Sequence, residues 1–191
     1  MTKMIENFSL KTRALILSIL FIALTFADQY SKIWAVEALK GKMPRFYLMG
    51  SVQLRYAENT GAWGNLGGDW AEPWRSLFLI GLPIIIILGF AGFYLFHKQT
   101  AKIESWAYAL IITGGAGNLI DRVRYNYVVD FLYIGIKEQI NLGFMKIPLE
   151  TNIFNIADVV IMTGAFLILI HIVREKILSI KSDDQHNEVS S

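Results

Sequence analysis

Four long apolar segments set the pattern of the chain, separated by stretches where polar and apolar residues mix. The first runs from Ala14 to Ala27, meets Asp28, and continues amphipathically through Ile33 and Trp34. The second, Leu77 to Phe96, is twenty residues without a charge. At about 1.5 Å per residue it spans roughly 30 Å, the thickness of a bilayer core, and Pro83 inside it is a kink that membrane helices tolerate. The third, Ser105 to Ile120, closes on Gly114, Gly115, Gly117 and Asn118, and the fourth, Ile156 to Val173, is apolar except for Asp158 and His171. Helical spans are therefore predicted at 14–33, 77–96, 105–121 and 156–173.

The intervening loops, 34–76 and 122–155, are too long to be simple connectors. Ser51 to Tyr56 alternates polar and apolar residues, a strand pattern, and Asn59-Thr60-Gly61 reads as a turn. Tyr127 to Tyr133 is rich in β-branched and aromatic residues. These pieces predict a small sheet on the outer membrane surface. The fold class expected is membrane α-helical: one integral domain over 1–191, with four transmembrane helices and a small extracytoplasmic β-sheet and loop layer. Within it, 134–151 is expected to be a mobile lid or lipid-contacting rim hinged at Gly135 and Gly143, and the polar end, 182–191, a frayed tail.

Composition agrees. Hydrophobic residues make up 54% of the 191, and charged residues 18%, against about 25% charged in average soluble domains. A net charge of +2 is too small for a nucleic-acid binder. Cysteine is absent, which excludes disulfides, thiolate metal sites and a cysteine nucleophile. The three histidines fall in no zinc-protease pattern, so neither a metal nor a cofactor is expected. Lys and Arg are denser in 1–13, 97–104 and 174–191 than in the two long loops, which favours both termini on the cytoplasmic side. The alternative for the first segment is a cleaved secretory signal, with Lys3, Lys11 and Arg13 before it and Thr25-Phe26-Ala27 as a weak cleavage site.

Charge at membrane depth is costly and marks function by default. Each such residue also has a plain structural role. Asp28 and Lys32 suit an i,i+4 ion pair. Gly114, Asn118, Asp121 and Arg122 share one helical face, as a small-residue packing surface ending in an ion pair would. Asn155 suits a helix N-cap with Asp158 at N3. Asp130, in Val129-Asp130-Phe131, would by itself point to solvent. Together with Asn59 they all fall on the outer side of the four spans. Two carboxylates gathered there cannot both ionise cheaply, so one keeps a proton while the other can activate water.

At these residues the sequence resembles the bacterial lipoprotein signal peptidase (signal peptidase II) family. The matching pieces occur in family order: Asp28-Gln29-x-x-Lys32, Asn59-Thr60-Gly61-Ala62, Gly114-Gly115-x-Gly117-Asn118-x-x-Asp121-Arg122, Val129-Asp130-Phe131 and Phe154-Asn155-x-Ala157-Asp158. The likeness covers about 14–173. Two features depart from it: the interval from Asp130 to Asn155 is longer, and Trp63-Gly64 follows Ala62.

The resemblance implies an aspartic endopeptidase of the bacterial inner membrane that removes signal peptides from diacylglyceryl-modified prolipoproteins, cleaving before the lipidated cysteine. Asp130 and Asp158 would be its catalytic dyad. Asn59, Gly61, Asn118, Asp121, Arg122 and Asn155 would line or support the site, with Asp28 and Lys32 bracing it. The partners implied are the lipidated substrate and membrane lipids, with the chain acting as a monomer. Two other readings stand beside this one: a small proton-coupled transporter or channel subunit using its intramembrane aspartates, and a structural membrane protein whose polar residues hold helices together.

Overall fold

The structure, a computed structural model, describes residues 7–62, 66–97, 101–141 and 146–190. Trp63, Gly64 and Gly143 lie outside the described residues. Helix α1, Leu10–Leu39, forms from a run of thirty residues with neither Gly nor Pro. The Ser9 hydroxyl caps it by accepting the Thr12 N–H at 3.2 Å. It stops at Gly41, whose φ of +72° a helix does not allow. Lys42 Nζ and Arg45 Nη2 donate to the carbonyls of Glu37 and Ala38, placing positive charge at the helix C-terminus.

Helix α2 runs Trp74–Phe96, one turn earlier than the expected start. The predicted irregularity at Pro83 takes the form of a π-turn over Leu77–Gly81. Proline lacks an N–H and its ring crowds the carbonyl four residues back, and a widened turn just before it relieves both problems. Helix α3 is Lys102–Tyr125, and helix α4 is Ile156–Ser190. The segment read as a frayed tail, 182–191, is thus helical to Ser190, because no Gly or Pro follows Gly164 to stop it.

Three of these helices are long and apolar enough to cross a bilayer: Leu10–Leu39, Trp74–Phe96 and Ile156–Ile180. The expected span at 105–121 is helical, but α3 carries too many polar residues to qualify by composition. Its surroundings explain this. It packs against α1, α2 and α4, so protein rather than lipid covers much of its surface. Glycines set the closeness of α3 to α4. A Cβ on Gly114 would sit 2.6 Å from the Ala157 carbonyl oxygen, and one on Gly164 2.7 Å from that of Ala107.

Four antiparallel strands form one sheet in the order β1 (Arg45–Tyr47), β2 (Val52–Asn59), β3 (Val128–Asn141), β4 (Lys146–Glu150). The strand predicted at Ser51–Tyr56 extends to Asn59, and that at Tyr127–Tyr133 to Asn141. The predicted lid, 134–151, is therefore built largely as the β3–β4 hairpin, with Gly135 paired to Glu150. Val129 and Phe131 pack on Ala35 and Leu39, seating the sheet on the end of α1.

Two local features bring the sheet to the helix ends. Asn126, at φ +62°, closes α3 in the left-handed conformation and turns the chain straight into β3. Phe154 bridges Leu132, its N–H donating to the Leu132 carbonyl at 2.8 Å and its carbonyl accepting the Leu132 N–H at 2.8 Å. The start of α4 is thereby stitched alongside β3.

Gly114→Ala should force α3 and α4 apart and lower stability by about 1–3 kcal/mol, the usual range for overpacking. Gly89→Ala, which meets nothing within 4 Å, should be neutral or slightly stabilising. Thermal unfolding in detergent compares them, and an unchanged Tm for Gly114→Ala would contradict the close backbone approach.

Candidate active site

The bridge at Phe154 places Asn155 beside Asp130. Asp130 lies on β3 only 3% exposed, not turned to solvent as a lone strand Asp usually is. One of its oxygens accepts from Asn155 Nδ2 at 2.7 Å, the other from Asn59 Nδ2 at 3.1 Å. Asp158, in the first turn of α4, accepts from Asn118 Nδ2 at 2.8 Å and from the Asn155 backbone N–H at 3.0 Å. Asn155 Oδ1 accepts the Asp158 N–H in return at 3.0 Å. The expected helix cap is real, and it is also part of the site.

Each asparagine is held in one orientation by what its oxygen accepts. Asn59 Oδ1 accepts the Gly61 N–H at 3.2 Å, the predicted turn. Asn155 Oδ1 accepts the Asp158 N–H, and Asn118 Oδ1 accepts Lys32 Nζ at 3.0 Å. An ammonium only donates, so the Asn118 amide nitrogen must face Asp158. All three amide groups therefore aim N–H bonds at the two carboxylates.

Beneath them lies a buried ionic cluster. Lys32 Nζ is 2.8 Å from Asp28 and 3.0 Å from Asp121, all three at most 3% exposed. The i,i+4 pair expected of Asp28 and Lys32 exists, but Asp121 pairs with Lys32 where the sequence set it against Arg122. The same two carboxylates also hold backbone. Asp28 accepts the Ala157 N–H at 3.0 Å, and Asp121 accepts the Val129 N–H at 3.1 Å. Each aspartate thus grips the residue immediately before Asp158 or Asp130. Gly117 makes room, since a Cβ there would lie 2.8 Å from the Asp28 carboxylate.

Two further residues take part, one standing in a sequence motif without a role and one outside the motifs. Gln29 Nε2 donates to Asp121 at 2.8 Å and to the Gly117 carbonyl at 3.2 Å. It stands inside the Asp28-Gln29-x-x-Lys32 motif, but its partner Asp121 lies on another helix, so the motif alone gives it no role. Arg75 Nη2 donates to the carbonyls of Asn126 at 2.8 Å and Thr60 at 3.3 Å. It ties the turn bearing Asn59 to the end of α3, a contact between segments far apart in sequence.

Asp130 and Asp158 open onto a cleft of about 710 Å³, also lined by Asn59, Arg122, Met162 and Phe166. The Arg122 Nη1 is buried without a hydrogen-bond partner among the described residues. Burial first, and the neighbouring Asp158 charge second, push the Asp130 carboxyl from the ordinary 3.8 up to about 7, against the amide donors of Asn59 and Asn155. The folded protein so holds this proton more tightly than the unfolded chain. The group favours folding most in acid, and that contribution is lost as pH rises from about 3.8 towards about 7.

This is a membrane helical bundle with a carboxylate pair, Asp130 buried and Asp158 partly exposed, where a small sheet meets the helix ends. The chain belongs to the signal peptidase (SPase) II family, whose model matches residues 20–174. The lipoprotein signal peptidase of Clostridium tetani is 36% identical over 149 residues, covering 78% of this chain and 86% of that one. That of Psychromonas ingrahamii is 33% identical over 174 residues, covering 88% of each. A bacterial membrane enzyme solved by the in meso method at 1.9 Å resolution shares the fold with a TM-score of 0.65 and 25% identity, over 88% of this chain and 97% of that one. Membership of a peptidase family does not favour the transporter and purely structural readings.

Arg75→Gln should lower turnover by about tenfold or more through misplacement of Asn59, with Arg75→Lys partly restoring it. Single-turnover rates and their pH profile measure this. A variant with lower stability but wild-type rate and profile would make Arg75 merely structural.

Proposed function

We propose that the chain is an aspartic endopeptidase that removes the signal peptide from diacylglyceryl-modified prolipoproteins, cutting the bond before the lipidated cysteine. The observation that carries the reading is the pair of Asp130, buried, and Asp158, partly exposed, both held by fixed amide donors and both lining an apolar cleft. Apolar walls suit a substrate that arrives in lipid. Along α4 the cleft continues past Phe166 into a second apolar groove lined by Ile170, Val173 and Ile177.

In this mechanism Asp130 starts as the acid and Asp158 as the base. Asp130 carries the raised carboxyl, and the N-terminal turn of α4 suits a negative charge at Asp158. Asp158 takes a proton from water as its oxygen attacks the scissile carbonyl carbon. Asp130 gives its proton to the carbonyl oxygen. As the tetrahedral intermediate collapses, the C–N bond breaks, Asp158 protonates the leaving amine, and the hydroxyl proton returns to Asp130. Asn59, Asn118 and Asn155 hold the pair, Asp28, Lys32 and Asp121 hold the backbone beneath it, and Arg122 faces the cleft to orient the substrate.

The placement that goes with it has α3 as the fourth span, shielded by its neighbours. Both termini face the cytoplasm, and the dyad lies at the outer surface of the bacterial inner membrane, where water and a lipid-anchored peptide meet. The Lys/Arg distribution supports this orientation, and one chain supplies every residue of the site.

Asp130→Asn and Asp158→Asn should each reduce single-turnover cleavage of a lipidated precursor by roughly 10²–10⁴-fold while the protein still inserts. The double variant should lose little more than either alone, because the groups act as a unit. Either variant retaining more than about a tenth of the rate would remove that residue from the chemistry.

A further inference from the structure

The turn joining β1 to β2 is the most exposed apolar feature of the sheet layer. Leu48 is 75% exposed and Met49 fully so, with Met43 and Phe46 exposed beside them. Leu48 and Met49 also adopt φ of 48° and 57°, the left-handed region that bulky residues avoid. Strain and exposure of large apolar side chains both cost free energy, and burial among the described residues does not offset them.

The position of the turn says what does. Arg45 Nη2 is bonded to the Ala38 carbonyl, so β1 starts beside the last turn of α1. Leu48 follows three residues later, about 10 Å along an extended chain. The same end of α1 exposes Tyr30 and Trp34, an aromatic pair of the kind that marks the headgroup level. Lys42 and Arg45, both exposed, flank the turn with positive charge. Apolar tips rimmed by cations suit an anionic lipid interface. A second copy of the chain is disfavoured because β1, the edge strand, has only three residues to pair with.

We propose that the β1–β2 turn is a lipid anchor: Leu48 and Met49 seat in the boundary between headgroups and acyl chains, and Lys42 and Arg45 face anionic headgroups. Such an anchor fixes the far end of the sheet whose other end carries Asn59 and Asp130. The inference rests on α1 as a membrane span, as proposed above.

The chain has no cysteine, so a single introduced thiol can be labelled without ambiguity. The test uses full-length Met49→Cys carrying a bimane fluorophore, in vesicles of phosphatidylethanolamine and phosphatidylglycerol. Ile22→Cys, exposed in mid-span, and Asp69→Cys, exposed in the first loop, are the lipid and water references. Nitroxide-bearing lipids should quench the Met49 label several-fold more than the Asp69 label, and aqueous iodide several-fold less. Exchanging phosphatidylglycerol for phosphatidylcholine should weaken the lipid quenching. Iodide quenching equal to that at Asp69 would overturn the anchor. Shielding from both quenchers that disappears on dilution into more lipid would assign the turn to a second copy instead. Nitroxides in both leaflets report equally, so an inverted topology leaves this result unchanged, and failure of the Ile22 reference to quench would expose a wrong span.

Discussion

A lysine buried between two buried aspartates organises the site. Lys32 pairs with both Asp28 and Asp121 and uses its remaining donor capacity on Asn118 Oδ1. That last bond decides which way the Asn118 amide faces, and so what Asp158 receives. Asp28 and Asp121 in turn hold the N–H groups of Ala157 and Val129, the neighbours of Asp158 and Asp130. Burying three charges is expensive, and an apolar cluster of the same shape would often be as stable. What the ions supply is position: one cluster sets the amide and the backbone around both carboxylates.

The arrangement depends on four close joints. Gly114 and Gly164 let α3 and α4 touch through backbone, Asn126 turns α3 into β3 within one residue, and Phe154 stitches β3 to the start of α4. A polar helix can occupy the middle of this bundle because its partners cover it. The site therefore sits at a seam: carboxylates on β3 and the first turn of α4, amides from β2, α3 and the start of α4, and the lysine from α1. Arg75 closes the seam from outside by joining the Thr60 and Asn126 carbonyls.

Much of this was legible in the sequence. The helices were visible as apolar runs, and β2 and β3 as alternating or β-branched stretches. The Asn155–Asp158 cap was read from spacing and is present, and Asp28, Lys32, Asn118, Asp121 and Asp130 converge as their shared side implied. The rest was not legible because it depends on contacts between distant segments. Single-residue reasoning sent Asp130 to solvent, since only the Phe154 bridge buries it. It paired Asp121 with its sequence neighbour Arg122, since only tertiary packing brings in Lys32 from α1. The roles of Gln29, which stands in a motif, and of Arg75 are not legible because their acceptors, the Asp121 carboxylate and the Thr60 and Asn126 carbonyls, lie on distant segments. The 134–151 segment read as a loop because its pairing, Gly135 with Glu150 and Ile134 with Val52, joins residues far apart in the chain.

The proposed chemistry turns on Asp130 keeping its proton close to neutral pH, where burial and the Asp158 charge hold its carboxyl up at about 7. Infrared difference spectra of the protein in lipid, titrated across neutral pH, measure this directly through the carbonyl stretch of a protonated carboxyl. Such a band is expected just below neutral pH, lost as pH rises, absent in Asp130→Asn, and titrating at lower pH in Asp158→Asn, where the neighbouring charge is gone. A band that persists in Asp130→Asn, or no protonated carboxyl below neutral pH, would contradict the proposed chemistry.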